Sequence, residues 1–121
     1  MLTLEIVMAA GGGAVLRYVI DQLVQHRTHG DFPYGTVVIN ISGSFLLGLV
    51  TGLAVHHGLG ATATLVIGTG LAGGYTTLST WAWETIALAE SGDILEAGVN
   101  IVGSFAAGMA AASAGLGLAL A

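Results

Sequence analysis

The sequence has no cysteine and no lysine, and its only basic residues are Arg17 and Arg27. Without cysteine there is no disulfide and no thiolate metal centre. Without a basic patch there is no nucleic-acid interface. Charged residues make up 7% of the 121 residues, where soluble domains carry roughly a quarter. That is too little charge to clothe a water-facing surface. What the chain has instead is apolar: hydrophobic residues reach 55%, mean hydropathy is +0.88, and there are 20 glycines. Glycine in that amount suits helices that pack closely within a bilayer. The composition therefore predicts a single-domain, all-α integral membrane protein, with the lipid bilayer as its solvent. Glu5 stands where a secretory leader would carry positive charge, so the first hydrophobic segment is expected to remain in the mature chain.

Hydropathy divides the domain, residues 1–121, into four spans at about 4–24, 34–55, 61–89 and 94–121. Each is near the ~20 residues that cross about 30 Å of hydrocarbon. Pro33, the one proline, suits the first turn of the second span. Ser91 or Asp93 is available to cap the fourth. The third span is unlike the others. It reads LAGGYTTLSTWAWE from Leu71 to Glu84, with Gly73-Gly74 followed by Thr76, Thr77, Ser79 and Thr80. The pattern predicts a helix broken near its middle. Non-helical backbone at membrane depth persists only where protein buries it or where it lines a polar cavity. Broken helices are also where membrane proteins bind ions and small polar solutes.

Two nine-residue segments echo one another sixty residues apart, NISGSFLLG from Asn40 and NIVGSFAAG from Asn100. A duplicated helical hairpin explains this and gives the second and fourth spans similar roles. On the second span Thr36, Asn40, Ser44, Gly48 and Gly52 recur every four residues and share one face. Such a face can simply hold helices together, by hydrogen bonds at its polar end and close approach at its glycine end. The number of neutral donors favours more than adhesion. Amides and hydroxyls, unlike carboxylates, can replace part of the hydration shell of an anion.

Arg17 is the one basic residue within a span, and ionisable residues there are functional candidates. Asp21, one turn on, offers it a structural ion-pair partner. Glu84 could accept hydrogen bonds from neighbouring helices or mark one end of a solute path. His56-His57 is read as loop, because adjacent side chains do not converge on one helix face. No nucleophile–base set or metal-ligand spacing falls on a plausible helix face, so an enzyme is not expected.

The motifs Gly12-Gly13-Ala14-x-x-Arg17-Tyr18, Gly35-Thr36-x-x-x-Asn40-x-x-Gly43-Ser44-Phe45 and Gly73-Gly74-Tyr75-Thr76-Thr77-x-Ser79-Thr80 with Glu84 resemble the CrcB/Fluc fluoride channels. The resemblance touches all four spans. It implies a dual-topology homodimer of two antiparallel four-helix subunits, with two fluoride pores along their interface and passive export that protects the cell from fluoride. It also implies a structural Na+ at the dimer centre, held here by the backbone carbonyls of Gly73 and Thr76. On the same resemblance Asn40 is the pore asparagine, Arg17 belongs to the vestibule, and Ser44, Ser79, Thr80, Glu84 and Ser104 belong to the fluoride pathway. The family usually places phenylalanines where this chain has Leu78 and Trp81, and often an aromatic residue where it has Asn100. Leu78 and Trp81 are therefore expected to line a modified path. Two other readings go with these departures. One is a small-solute or proton-coupled transporter in which Glu84 titrates, and the other is a non-conducting subunit of a heterodimer.

Overall fold

A computed structural model describes all residues, 1–121, and every regular element in it is helical. Helix α1 runs Leu2–Arg27 and α2 Tyr34–His56. The third segment comes in pieces: α3 (Ala61–Thr64), a π-helix (Leu65–Ala72), α4 (Gly73–Tyr75) and α5 (Ser79–Glu90). Helix α6 runs Ile94–Leu120. Three helices, α1, α2 and α6, are long and apolar enough to cross a membrane. Only 19 of the 121 residues are buried, too few for a soluble core. Val7, Val15, Ile86, Val102 and Leu118 are among the large apolar side chains left at the surface, which hydrocarbon accepts and water does not.

The helix ends follow local chemistry. Each of the three connections holds one glycine in the left-handed region, Gly30, Gly58 and Gly92, with φ of 90°, 70° and 90°. At the end of α5, Gly92 N–H donates to Ala89 O (3.1 Å) and Asp93 N–H to Leu88 O (2.9 Å). This is the paired closure that satisfies the last helical carbonyls. Pro33 precedes α2 as its N-cap. The expected side-chain cap of α6 does not form. Asp93 occupies the N-cap without a capping bond, and the Ser91 hydroxyl instead donates back to Ala87 O at 2.9 Å.

Glycines set the helix packing. Helices α2 and α6 form the most extensive helix pair. A Cβ on Gly48 would run into the Ala112 backbone, one on Gly52 into Ala119, and one on Gly115 into the backbone of Phe45 and Leu49. The Gly48/Gly52 face thus meets a helix of the same chain, and it works as small residues do at membrane-helix contacts. Helix α1 is held against the third segment in the same way. Gly13 touches Leu71 and Tyr75, Gly70 touches Ile6 and Ala9, and Gly74 lies on Ala10. Gly70 and Leu71 belong to the last turn of the π-helix, and such widened turns recur at functional sites.

Gly115→Val should lower the thermal midpoint of the detergent-solubilised protein, in line with an overpacking cost of about 1–3 kcal/mol. Gly117→Ala, whose Cβ meets nothing within 4 Å, should leave the midpoint unchanged. Equal midpoints for the two variants would show that the α2–α6 contact is looser than this packing requires.

Candidate functional site

The helical path stops at Thr76, whose ψ of 159° is extended, and resumes at Leu78, back in the helical region at φ −94° and ψ −40°. The backbone groups freed by this turn are met from α2. Asn40 Nδ2 donates to Thr77 O at 2.8 Å, and Thr77 N–H donates to Asn40 Oδ1 at 2.9 Å. One carboxamide thus satisfies both polar groups of one peptide residue. Thr77 Oγ1 in turn accepts from Thr80 N–H at 3.1 Å, capping the first turn of α5. The Thr76 hydroxyl folds back to donate to Ala72 O at 2.9 Å. Gly43 makes room for Tyr75 and the Thr76 methyl, and Tyr75 Oη lies 2.9 Å from Ser42 Oγ.

Because Thr77 N–H turns to Asn40, it does not close the helical bond to the Gly73 carbonyl. Gly73 is exposed, and its Cα faces open space apart from Gly68 O, 3.9 Å from where a Cβ would stand. The Thr76 carbonyl accepts a long hydrogen bond, 3.5 Å, from Arg17 Nη1. Arg17 and Asp21 therefore address different neighbours rather than each other, since the Asp21 carboxylate packs against Gly35 on α2. Here the ion-pair expectation gives way to tertiary packing.

Between α2, the break and α6 lies a groove of about 380 Å³ faced by Asn40, Ser44, Leu78, Trp81, Ser104 and Phe105. A second hollow of about 250 Å³ shares Met109 and Ala112 with it and carries the groove on along α2 and α6. No ionised side chain lines either hollow. Five of the residues singled out in the sequence for the pathway thus meet in one place. The others do not join them. Ser79 and Thr80 are exposed on the first turn of α5. Glu84 faces a separate hollow with Asp31 and Trp83, while its Oε1 is buried without a hydrogen-bond partner. Thr36, buried on α2, and Asp21 on α1 lie near the Glu84 carboxylate.

Asn100 does not line the groove. It is fully buried, its Nδ2 donates to Thr85 Oγ1 at 2.8 Å, and its Oδ1 accepts from Ser104 Oγ at 3.2 Å. The Thr85 hydroxyl donates to Trp81 O at 2.8 Å, and Trp81 Nε1–H donates to Asn100 O at 3.1 Å. Four side chains thereby tie α5 to α6. The two echoing asparagines both hold the third segment, Asn40 at its break and Asn100 along α5. Sequence spacing places Asn100 on the Ser104 face, but only the position of α5 decides that this face is interior. Phe105 in the groove recurs with Phe45 in the two echoing segments but lies off the four-residue face of Asn100 and Ser104.

The chain has relatives among known proteins. A family model described as CrcB-like protein, Camphor Resistance (CrcB), matches residues 4–116. The chain is 43% identical over 118 residues to a protein of Leifsonia xyli named Fluoride-specific ion channel FluC 1, covering 98% of this chain and 86% of that one. It is 44% identical to a protein of the same name from Streptomyces avermitilis, covering 93% of this chain and 91% of the relative. A Fluoride-specific ion channel FluC 2 of Mycobacterium bovis is 46% identical, over 90% of this chain and 84% of its own length.

Asn40→Ala should leave both polar groups of half-buried Thr77 unpaired, at a cost of about 1 kcal/mol for each, the low end for unpaired groups. The expected result is a lowered thermal midpoint, together with faster hydrogen exchange at the Thr77 amide than at amides in the middle of α2. Unchanged exchange at Thr77 would show that the clamp does not hold the break.

Proposed function

The chain belongs to the CrcB family, and on that premise we propose that this multi-pass membrane protein is a fluoride-selective channel. It exports fluoride passively and protects the cell from its accumulation. The observation that carries this reading is the groove. It offers the Asn40 amide and the Ser44 hydroxyl beside the rings of Trp81 and Phe105, with no carboxylate or cation among its lining. Neutral donors replace hydration without binding an anion so tightly that it cannot leave. Passive flow suffices, because hydrogen fluoride enters as a neutral acid and ionises inside, and an anion path then returns the fluoride.

The working unit on this reading is a dual-topology homodimer, each subunit spanning the membrane four times with the third span split at Thr76–Leu78. Two features support it. The groove is open on one side and rimmed by exposed Leu78, Phe105 and Met109, so a second copy would close it. The scarcity of Lys and Arg leaves little positive-charge bias to fix one orientation. A Na+ ion suits the break, since hard cations take oxygen ligands. The Gly73 carbonyl, released from Thr77, and the Thr76 carbonyl would hold it, with the same pair from the second subunit. Its contribution when bound would be to hold the two breaks together. Arg17 positions the Thr76 carbonyl, and Ser79, Thr80 and Glu84 extend the polar route beyond the groove.

One observation favours a second reading, a proton-coupled transporter. Glu84 Oε1 is buried without a partner, and Asp21 and Asp31 lie on the same side of the protomer. Saturable flux that depends on pH and disappears in Glu84→Gln would establish it. Flux that Glu84→Gln leaves independent of pH would return the carboxylate to a packing role.

Proteoliposomes containing only this chain should release fluoride rapidly and retain chloride, and Asn40→Asp, which sets a carboxylate against the Thr77 carbonyl, should abolish release. Gly73→Val should weaken dimerisation, read by cross-linking in Na+ and again with an organic cation in its place. The absence of fluoride release from a folded wild-type dimer would overturn the homomeric channel and point to a heterodimer.

A further inference from the structure

Most of the hydrogen-bond donors around the groove are already engaged within the protomer. One N–H of the Asn40 amide is bonded to Thr77 O, and the Thr76 hydroxyl to Ala72 O. The Ser104 hydroxyl is bonded to Asn100 Oδ1, and the Trp81 indole N–H to Asn100 O. That leaves the Ser44 and Thr77 hydroxyls and the second N–H of Asn40 at the groove. Three donors are few for a small anion that has shed part of its water. The remaining positive electrostatic surface there is aromatic, because a ring carries its positive potential at the C–H edge. Leu78 contributes none, and Trp81 is held in place by its indole bond. Phe105 faces the same groove, is 70% exposed in the protomer, and has no aromatic partner, since the one close ring pair in the chain is Phe32–Tyr34.

We propose that Phe105 is a specificity-determining residue of the anion path, its ring edge contacting the passing fluoride beside Ser44 and Asn40. The inference rests on the channel reading above and assigns a contact that four-residue spacing does not reveal. Aliphatic packing against lipid or a second copy would need only the volume of Phe105, whereas anion contact needs the ring edge. Leucine keeps most of the volume and removes the edge.

The test is fluoride and chloride efflux from proteoliposomes containing the wild-type chain, Phe105→Leu, and Phe105→Leu combined with Leu78→Phe, with dimer content measured for each by cross-linking. Phe105→Leu should assemble as the wild type does and release fluoride at least tenfold more slowly. Returning a ring to the same groove through Leu78→Phe should restore release to within about threefold of the wild type. Fluoride release from Phe105→Leu within twofold of the wild type would overturn the proposal. So would a decrease that tracks loss of the dimer, or no recovery on adding Leu78→Phe. Failure of the wild-type chain itself to release fluoride would overturn the channel reading instead, so the two failures are distinct.

Discussion

The exchange of two hydrogen bonds between the Asn40 carboxamide and the Thr77 backbone is the constraint on which the rest of this structure depends. A helix interrupted inside a membrane leaves N–H and C=O groups that lipid cannot satisfy. Asn40 answers both groups of Thr77 at 2.8 and 2.9 Å. The interruption is then stable enough to aim α5 and to free the Gly73 carbonyl. It also lets Thr77 cap the next helix through Thr80. Loss of this single side chain would reach the groove, the break and the start of α5 together.

Glycine makes that clamp geometrically possible. Gly43 admits the Thr76 methyl, and Gly13 and Gly74 let α1 lie against α4. The result is a third segment held by glycine contacts from α1 and by a carboxamide from α2. On its other side the Asn100 network fastens α5 to α6. Buried polar groups inside a membrane protein are costly unless paired, and here the pairing spans different elements, so it fixes their relative positions.

Much of this was legible in the chain itself. Apolar runs gave the helices, and four-residue spacing put Asn40, Ser44 and Gly48 on one face, whereas Gly73-Gly74, expected at the interruption, stay helical and the path turns extended only at Thr76. Apolar runs and spacing are local signals, and local signals survive folding. Three features were not legible because they are tertiary. Arg17 turns to Thr76 instead of Asp21, Asn100 is interior because α5 covers it, and Glu84 falls in a separate hollow from Asn40. Periodicity gives the face of a helix but not the neighbour that face meets. The resemblance named the pathway residues as one set, whereas packing divides that set between the groove, the exposed first turn of α5 and the hollow around Glu84.

The Asn100 network has a consequence for biogenesis. Trp81, Thr85, Asn100 and Ser104 settle their polar groups on one another within one chain, so a newly inserted chain presents few of these donors to the acyl chains around it. The bilayer around a single copy is then spared the cost of leaving such groups unpaired.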